Sequence, residues 1–164
     1  MYKDYSRKDN LIEKEGIYMH GLTIDQMHVG QYALLEKTIT DADVYIFAGV
    51  TGDMNPVHLD DLYASCSIFQ HRIVHGGLVA SLFSTVLGTT LPGIGTIYLK
   101  QESKFVKPVF IGDTVQIKVE VKELNLEKNR VTLLTTATNQ NGDKVVVGEA
   151  VVMPPKEENL HVEH

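Results

Sequence analysis

His75-Gly76-Gly77-Leu78-Val79-Ala80-Ser81-Leu82-Phe83-Ser84-Thr85-Val86-Leu87-Gly88-Thr89-Thr90-Leu91 decides the fold class of this chain. Leu78, Val79, Leu82, Phe83, Val86 and Leu87 recur with helical spacing and cover most of the circumference, so the segment is expected to be a buried helix. Gly77, Ser81, Ser84 and Gly88 form one narrow face of small residues, which another element can approach closely. Pro92-Gly93 ends the helix. Downstream the chain alternates as strands do. Val115, Ile117, Val119 and Val121 interleave with Gln116, Lys118, Glu120 and Lys122, setting an apolar face against a polar one. Residues 96–106 alternate less cleanly, and Pro108 to Asp113 turns the chain. Val131 to Thr138 is rich in β-branched residues, Asn141-Gly142 signals a hairpin, and Val145 to Met153 closes the set. Upstream, a strand is expected between Val29 and Thr38. Thr40-Asp41-Ala42-Asp43 then caps a short helix whose apolar face is Val44, Phe47 and Ala48. Asp60 to Ala64 reads as a further helical turn. One buried helix followed by four strands implies an α+β domain, an antiparallel sheet wrapped around a central helix.

The bulk numbers agree with one domain. A chain of 164 residues buries about 70% of the surface its unfolded form exposes. Hydrophobic residues make up 43%, enough for a full core. A net charge of −6 with no basic run argues against nucleic acid as a partner. The single cysteine, Cys66, cannot form an internal disulfide and reads as a small, partly buried hydrophobe rather than a nucleophile. No Cys/His cluster has zinc-ligand spacing, so no metal is expected. Asp53-Met54-Asn55 begins like a calcium loop, but His58 stands where that loop needs glycine and Ala64 where it needs glutamate. Gly93-Ile94-Gly95 lacks the third glycine and the following helix of a dinucleotide site, so no redox cofactor is expected either. The expected organisation is a leader over 1–22, a domain over 23–153 and a polar tail over 154–164, whose His161 and His164 read as solvated. The first nine residues are charged throughout and no apolar run is long enough to span a bilayer, so no membrane partner and a cytoplasmic location are expected.

The chemistry sits in Thr51-Gly52-Asp53-Met54-Asn55-Pro56-Val57-His58. On one continuous helix Asp53 and His58 would be turned roughly 500° apart and face different sides. Pro56 argues against such a helix and for a stiff, bent loop, which can bring a carboxylate and an imidazole over one small volume. An acid/base pair around one water needs that arrangement. The bland readings are an Asx turn for Asp53 and a histidine buried against Leu59 for His58. Asn55 reads as a turn-stabilising residue.

The run Phe47-Ala48-Gly49-Val50-Thr51-Gly52-Asp53-Met54-Asn55-Pro56-Val57-His58, followed by Ala64, resembles the signature of the MaoC-like (R)-specific enoyl-CoA hydratases, hot-dog-fold enzymes that act on acyl thioesters. The resemblance continues through residues 73–84 and 105–113 and covers roughly residues 23 to 153. It implies that Asp53 and His58 hold the attacking water and return a proton to the same face of the substrate. It also implies that the Gly76 amide is the donor to the thioester oxygen. Independently, the first turn of any helix has amides without intrahelical partners, and Gly76 has no Cβ to keep a carbonyl away. His75 is expected to order this helix start rather than react. Ser84, mid-helix among apolar residues, needs a partner for its hydroxyl. That partner is either the Ala80 carbonyl one turn earlier or, by resemblance, the Asp53 carboxylate.

The expected substrate is therefore an acyl-CoA thioester. Arg72, Lys100, Lys104 and Lys107 are candidates for the coenzyme A phosphates. Competing readings are a dehydratase of carrier-protein thioesters, a hot-dog thioesterase, and a non-catalytic acyl-thioester-binding subunit. By resemblance a homodimer is expected, and pairing would cover an exposed sheet edge.

Overall fold

A computed structural model describes residues 20–156. Strand β1 (Tyr32–Thr38) leads into helix α1 (Asp41–Thr51), two short helices α2 (Pro56–Leu59) and α3 (Asp61–Ser65), and the central helix α4 (Gly76–Thr89). Strands β2 (Ile97–Phe105), β3 (Thr114–Asn125), β4 (Arg130–Asn139) and β5 (Lys144–Met153) follow. The five strands form one sheet in the order β1-β3-β4-β5-β2, antiparallel at every pairing. The α+β architecture is as the sequence implies.

Alternation in β3 becomes burial at its valines and isoleucine: Val115, Ile117, Val119 and Val121 are each at most 1% exposed. Their partners across the ladder carry the same face onward, as where Ile117 pairs with Ala137. Helix α4 lies on that face against β2 and β3 and seals it with Leu78, Val79, Leu82, Phe83, Val86 and Leu87. Asn141-Gly142 does turn the β4–β5 hairpin: Gly142 adopts φ 81° and its amide donates to the Asn139 carbonyl. Helix α1 starts at the expected cap. Thr40 Oγ1 accepts from the Asp43 amide, and the Asp43 carboxylate accepts from the Thr40 amide and hydroxyl. Those bonds hold the Asp43 carboxyl down at about 2.

Two expectations need correction. First, α4 is not buried all round. Gly77, Ser81, Ser84 and Gly88 are exposed, because the sheet covers only one side of the helix and these small residues bring little apolar area to bury. The premise that the Ser84 hydroxyl must find a protein partner therefore fails, and it bonds to no other described residue. Second, Cys66 is exposed, at the end of a short surface helix. Residues just outside the expected domain pack onto it at both ends. The Gly21 and Leu22 amides donate to Ile94 and Pro92 carbonyls, and a Cβ on Gly21 would lie 2.5 Å from the Pro92 oxygen. Pro154 and Pro155 are buried, and the Pro154 carbonyl accepts from Asn129 Nδ2. Residues 1–19 of the expected leader, and His161 and His164, lie outside the described residues.

Candidate active site

The segment between β1 and α4 overhangs the sheet and carries the signature residues. Helix α1 stops because Gly52 turns into the left-handed region at φ 79°, its amide still bonded to the Ala48 carbonyl. Thr51 Oγ1 then accepts from the Asp53 amide while its hydroxyl donates to the Phe47 carbonyl. Asp53 Oδ1 accepts from the Asn55 amide, so the Asx turn is real, yet it occupies one oxygen of an exposed carboxylate and leaves Oδ2 available. Asn55 does more than stabilise a turn. It is the N-cap of α2, its Oδ1 accepting from the Val57 amide, with Pro56 as the first helical residue. Proline there loses an amide that would be unpaired anyway, so Pro56 begins a helix where the sequence reading saw only a stiff loop.

That helical turn buries His58 and aims it. Nδ1 lies 2.8 Å from the Ile73 carbonyl oxygen, which can only accept, so Nδ1 carries the proton and Nε2 keeps its lone pair. Ile73 reciprocates through its amide, bonded to the Val57 carbonyl. Burial pushes the His58 pKa below its ordinary value, helped by the charge of His75 and opposed by the Ile73 bond and Asp53. The ring is thus a neutral base near pH 7.

His75 does not cap α4 with its side chain, although it stands at the N-cap position. Its ring is 2% exposed and stacks on His58 at 3.8 Å between centroids, while Nε2–H donates to the main-chain carbonyl of Asp53 at 3.1 Å. Gly76 follows as the first residue of α4, and its amide bonds to no backbone carbonyl among the described residues. A Cβ at Gly76 would lie 2.8 Å from the Phe105 ring, so any larger residue there must push that ring aside. Sequence reasoning missed Phe105, since nothing local to either residue announces the contact.

A cavity of about 460 Å³ opens between these elements. His58 and Gly76 line it, together with Val79, Phe105, Lys107 and Val146. Asp53 stands beside it: one of its carboxylate oxygens and one ring nitrogen each of His58 and His75 lie within 4.8 Å of one another. Three such donors invite a metal, but the two rings face each other at 30°, so their in-plane lone pairs run side by side rather than converging on one ion. A carboxylate and a neutral imidazole at this spacing can instead share a proton with a water between them. The structure thus brings Asp53, His58, His75 and Gly76 together. Ser84 does not join them; it lies about 12 Å along the helix from Gly76 and makes no bond to Asp53 within the chain. Of the four cationic candidates, Arg72 is taken by Asp41 and Asp61, Lys100 by Glu102 and Lys107 by Asp143. Arg72 instead clamps the start of α1 to α3, a structural role the sequence did not reveal.

The family model described as the MaoC like domain matches residues 25–142. The chain belongs to the MaoC-like family. An (R)-specific enoyl-CoA hydratase of Rhodospirillum rubrum is 51% identical over 126 residues, which is 77% of this chain and 87% of that protein. Another (R)-specific enoyl-CoA hydratase, from Aeromonas caviae, is 46% identical over 82% of this chain and its own full length. The solved R-hydratase of Pseudomonas aeruginosa superposes with a TM-score of 0.80 at 45% identity, covering 84% of this chain and 88% of that one. The fold of this MaoC-like chain is accordingly the hot-dog fold, with α4 as its central helix.

Proposed function

We propose that this protein is an (R)-specific enoyl-CoA hydratase, adding water reversibly to trans-2-enoyl-CoA to give (R)-3-hydroxyacyl-CoA. The observation that carries the reading is a basic imidazole nitrogen and a free helix-start amide sharing one cavity, at His58 and Gly76. The similarity to two enoyl-CoA hydratases over most of the chain supports the substrate class.

A water held between Asp53 and His58 Nε2 loses a proton to the pair as its oxygen bonds to Cβ. The alkene electrons move toward the thioester, and negative charge gathers on the carbonyl oxygen. The Gly76 N–H, at the positive end of α4, stabilises that charge. The pair then returns a proton to Cα on the same face, so hydrogen and hydroxyl add syn. One water is consumed, no electrons change hands, and the reverse path is the dehydration. Largely apolar walls such as Val79, Phe105 and Val146 suit an acyl chain.

A homodimer fits this reading. β2 is an edge strand carrying exposed Ile97, Leu99 and Phe105, and the small-residue face of α4 lies open. Light scattering at micromolar concentration should give twice the chain mass; a monomer alone would defeat this part. No helix among the described residues is long and apolar enough to cross a membrane.

The test is loss of enoyl absorbance when the purified protein meets crotonyl-CoA, with the product assayed by an (R)-specific dehydrogenase. Absence of turnover on crotonyl-CoA and longer enoyl-CoAs sinks the proposal. Faster turnover of the matching carrier-protein thioester would reassign the substrate to that carrier.

A further inference from the structure

We infer that His75 is a positioning residue for this reaction, one ring that fixes the catalytic pair relative to the oxyanion amide. The inference rests on the hydratase reading for its kinetic consequence and on geometry for the rest. Each contact of His75 reaches a different part of the site. Its face carries the His58 ring at 3.8 Å, its Nε2–H holds the Asp53 main chain at 3.1 Å, and its other side meets the Phe47 ring of α1 at 5.1 Å. Its own backbone is the N-cap of α4, one residue before Gly76.

Two details separate this from an ordinary buried histidine. His75 Nδ1 is buried with no hydrogen-bond partner among the described residues. Such a nitrogen costs stability that a phenylalanine in the same space would not, so packing alone does not account for a histidine here. The second detail is the choice of acceptor. His75 takes the carbonyl of Asp53 and not its carboxylate, so it holds the loop while the carboxylate stays available for water. The stack also fixes the plane of His58, which must keep Nδ1–H on the Ile73 carbonyl for Nε2 to remain the base. The titratable groups facing His75 are Asp53, from the loop after α1, and His58, from α2; α1 itself offers only Phe47.

His75→Phe keeps a stacking ring and loses the N–H bond. His75→Gln keeps a donor and loses the stack. Both are to be compared with wild type in kcat and KM on crotonyl-CoA, in thermal melting, and in the His58 ring tautomer and titration by nitrogen-detected NMR. Positioning predicts a kcat lowered roughly 10- to 100-fold in each, as expected for small misplacements of reacting groups. KM should change little in either variant, and melting should not fall in His75→Phe, which removes the unpartnered Nδ1. In His75→Phe the His58 titration should move up as the neighbouring charge disappears, and in His75→Gln the single Nδ1–H tautomer should become mixed. Wild-type kcat in both variants, or a loss that only follows the folded fraction, overturns the inference. A wild-type protein with no enoyl-CoA turnover would defeat the hydratase reading instead. The His58 NMR would still decide the matter, since an unchanged tautomer and titration in both variants overturns the role of His75 whatever the reaction.

Discussion

The sheet with its central helix and the overhang between β1 and α4 are held by different physics. In the first, alternate side chains of β3, β4 and β5 vanish against Leu82, Phe83 and Val86, and no single polar contact matters much. In the second, Tyr45, Ile46, Val50, Met54, Leu62 and Ile68 stay in solvent while caps, turns and an Arg72 clamp fix the path of the chain. The first region is stabilised mainly by area, while the second adds a short series of directed bonds to the buried Val44, Ala48 and Ala64. The reactive groups belong to the second, where one hydrogen bond can set the direction of a ring.

That contrast is open to breakage from either side. The largest effect should come from Asp53→Asn and His58→Ala, each lowering turnover by about 10² to 10⁴, the range for general acid–base roles, with little change in melting temperature. Near-wild-type rates in either would end the assignment of the pair. Phe83→Ala should show the opposite pattern, costing about 3–5 kcal/mol in urea denaturation while each folded molecule keeps its activity. A specific-activity loss equal to that of His58→Ala would mean that core and overhang are one unit.

Smaller effects sharpen the comparison. His58 has a folded pKa below its unfolded value, so the unfolded chain binds this proton more readily. Its contribution to stability should therefore be lost as pH falls below about 6.5 and level off once the folded ring also protonates. Turnover should fall only at the low end of that window, where the folded ring protonates and the base is consumed, and His58→Gln should remove that part of the stability slope. A slope unchanged by the substitution would contradict the cause given for the shift. Thr40→Ala removes one cap and should cost about 1 kcal/mol, with the Asp43 carboxyl rising from about 2 on NMR titration. No rise would mean that the Thr40 main-chain amide, which alanine keeps, sets that value rather than the hydroxyl.

The legible part of the molecule was its periodic part. Val115 to Val121 and the apolar positions of α4 announce their partners by spacing, and the cap at Thr40 is a local pattern that needs nothing distant. The signature octet placed Asp53 and His58 together correctly, though it hid the fact that Pro56 opens a helix. Spacing could not show which side of α4 the sheet would cover, so Ser84 was read as buried. The stack of His75 on His58, the Phe105 ring over Gly76 and the two carboxylates on Arg72 each join residues far apart in sequence. No local pattern encodes such a meeting; it exists only once the sheet has set the distances.

The Ile73 carbonyl that orients His58 belongs to a segment bridged to Phe110, with the next amide, Val74, bonded to Val109. The overhang can therefore open at its exposed stretch around Leu62 and Ile68 while the acceptor of the catalytic ring stays anchored next to the sheet. Local opening and loss of the reactive tautomer become separate events with separate lifetimes, the second slaved to the slower-opening part of the molecule. A breathing overhang can admit a bulky thioester without resetting the base that will act on it.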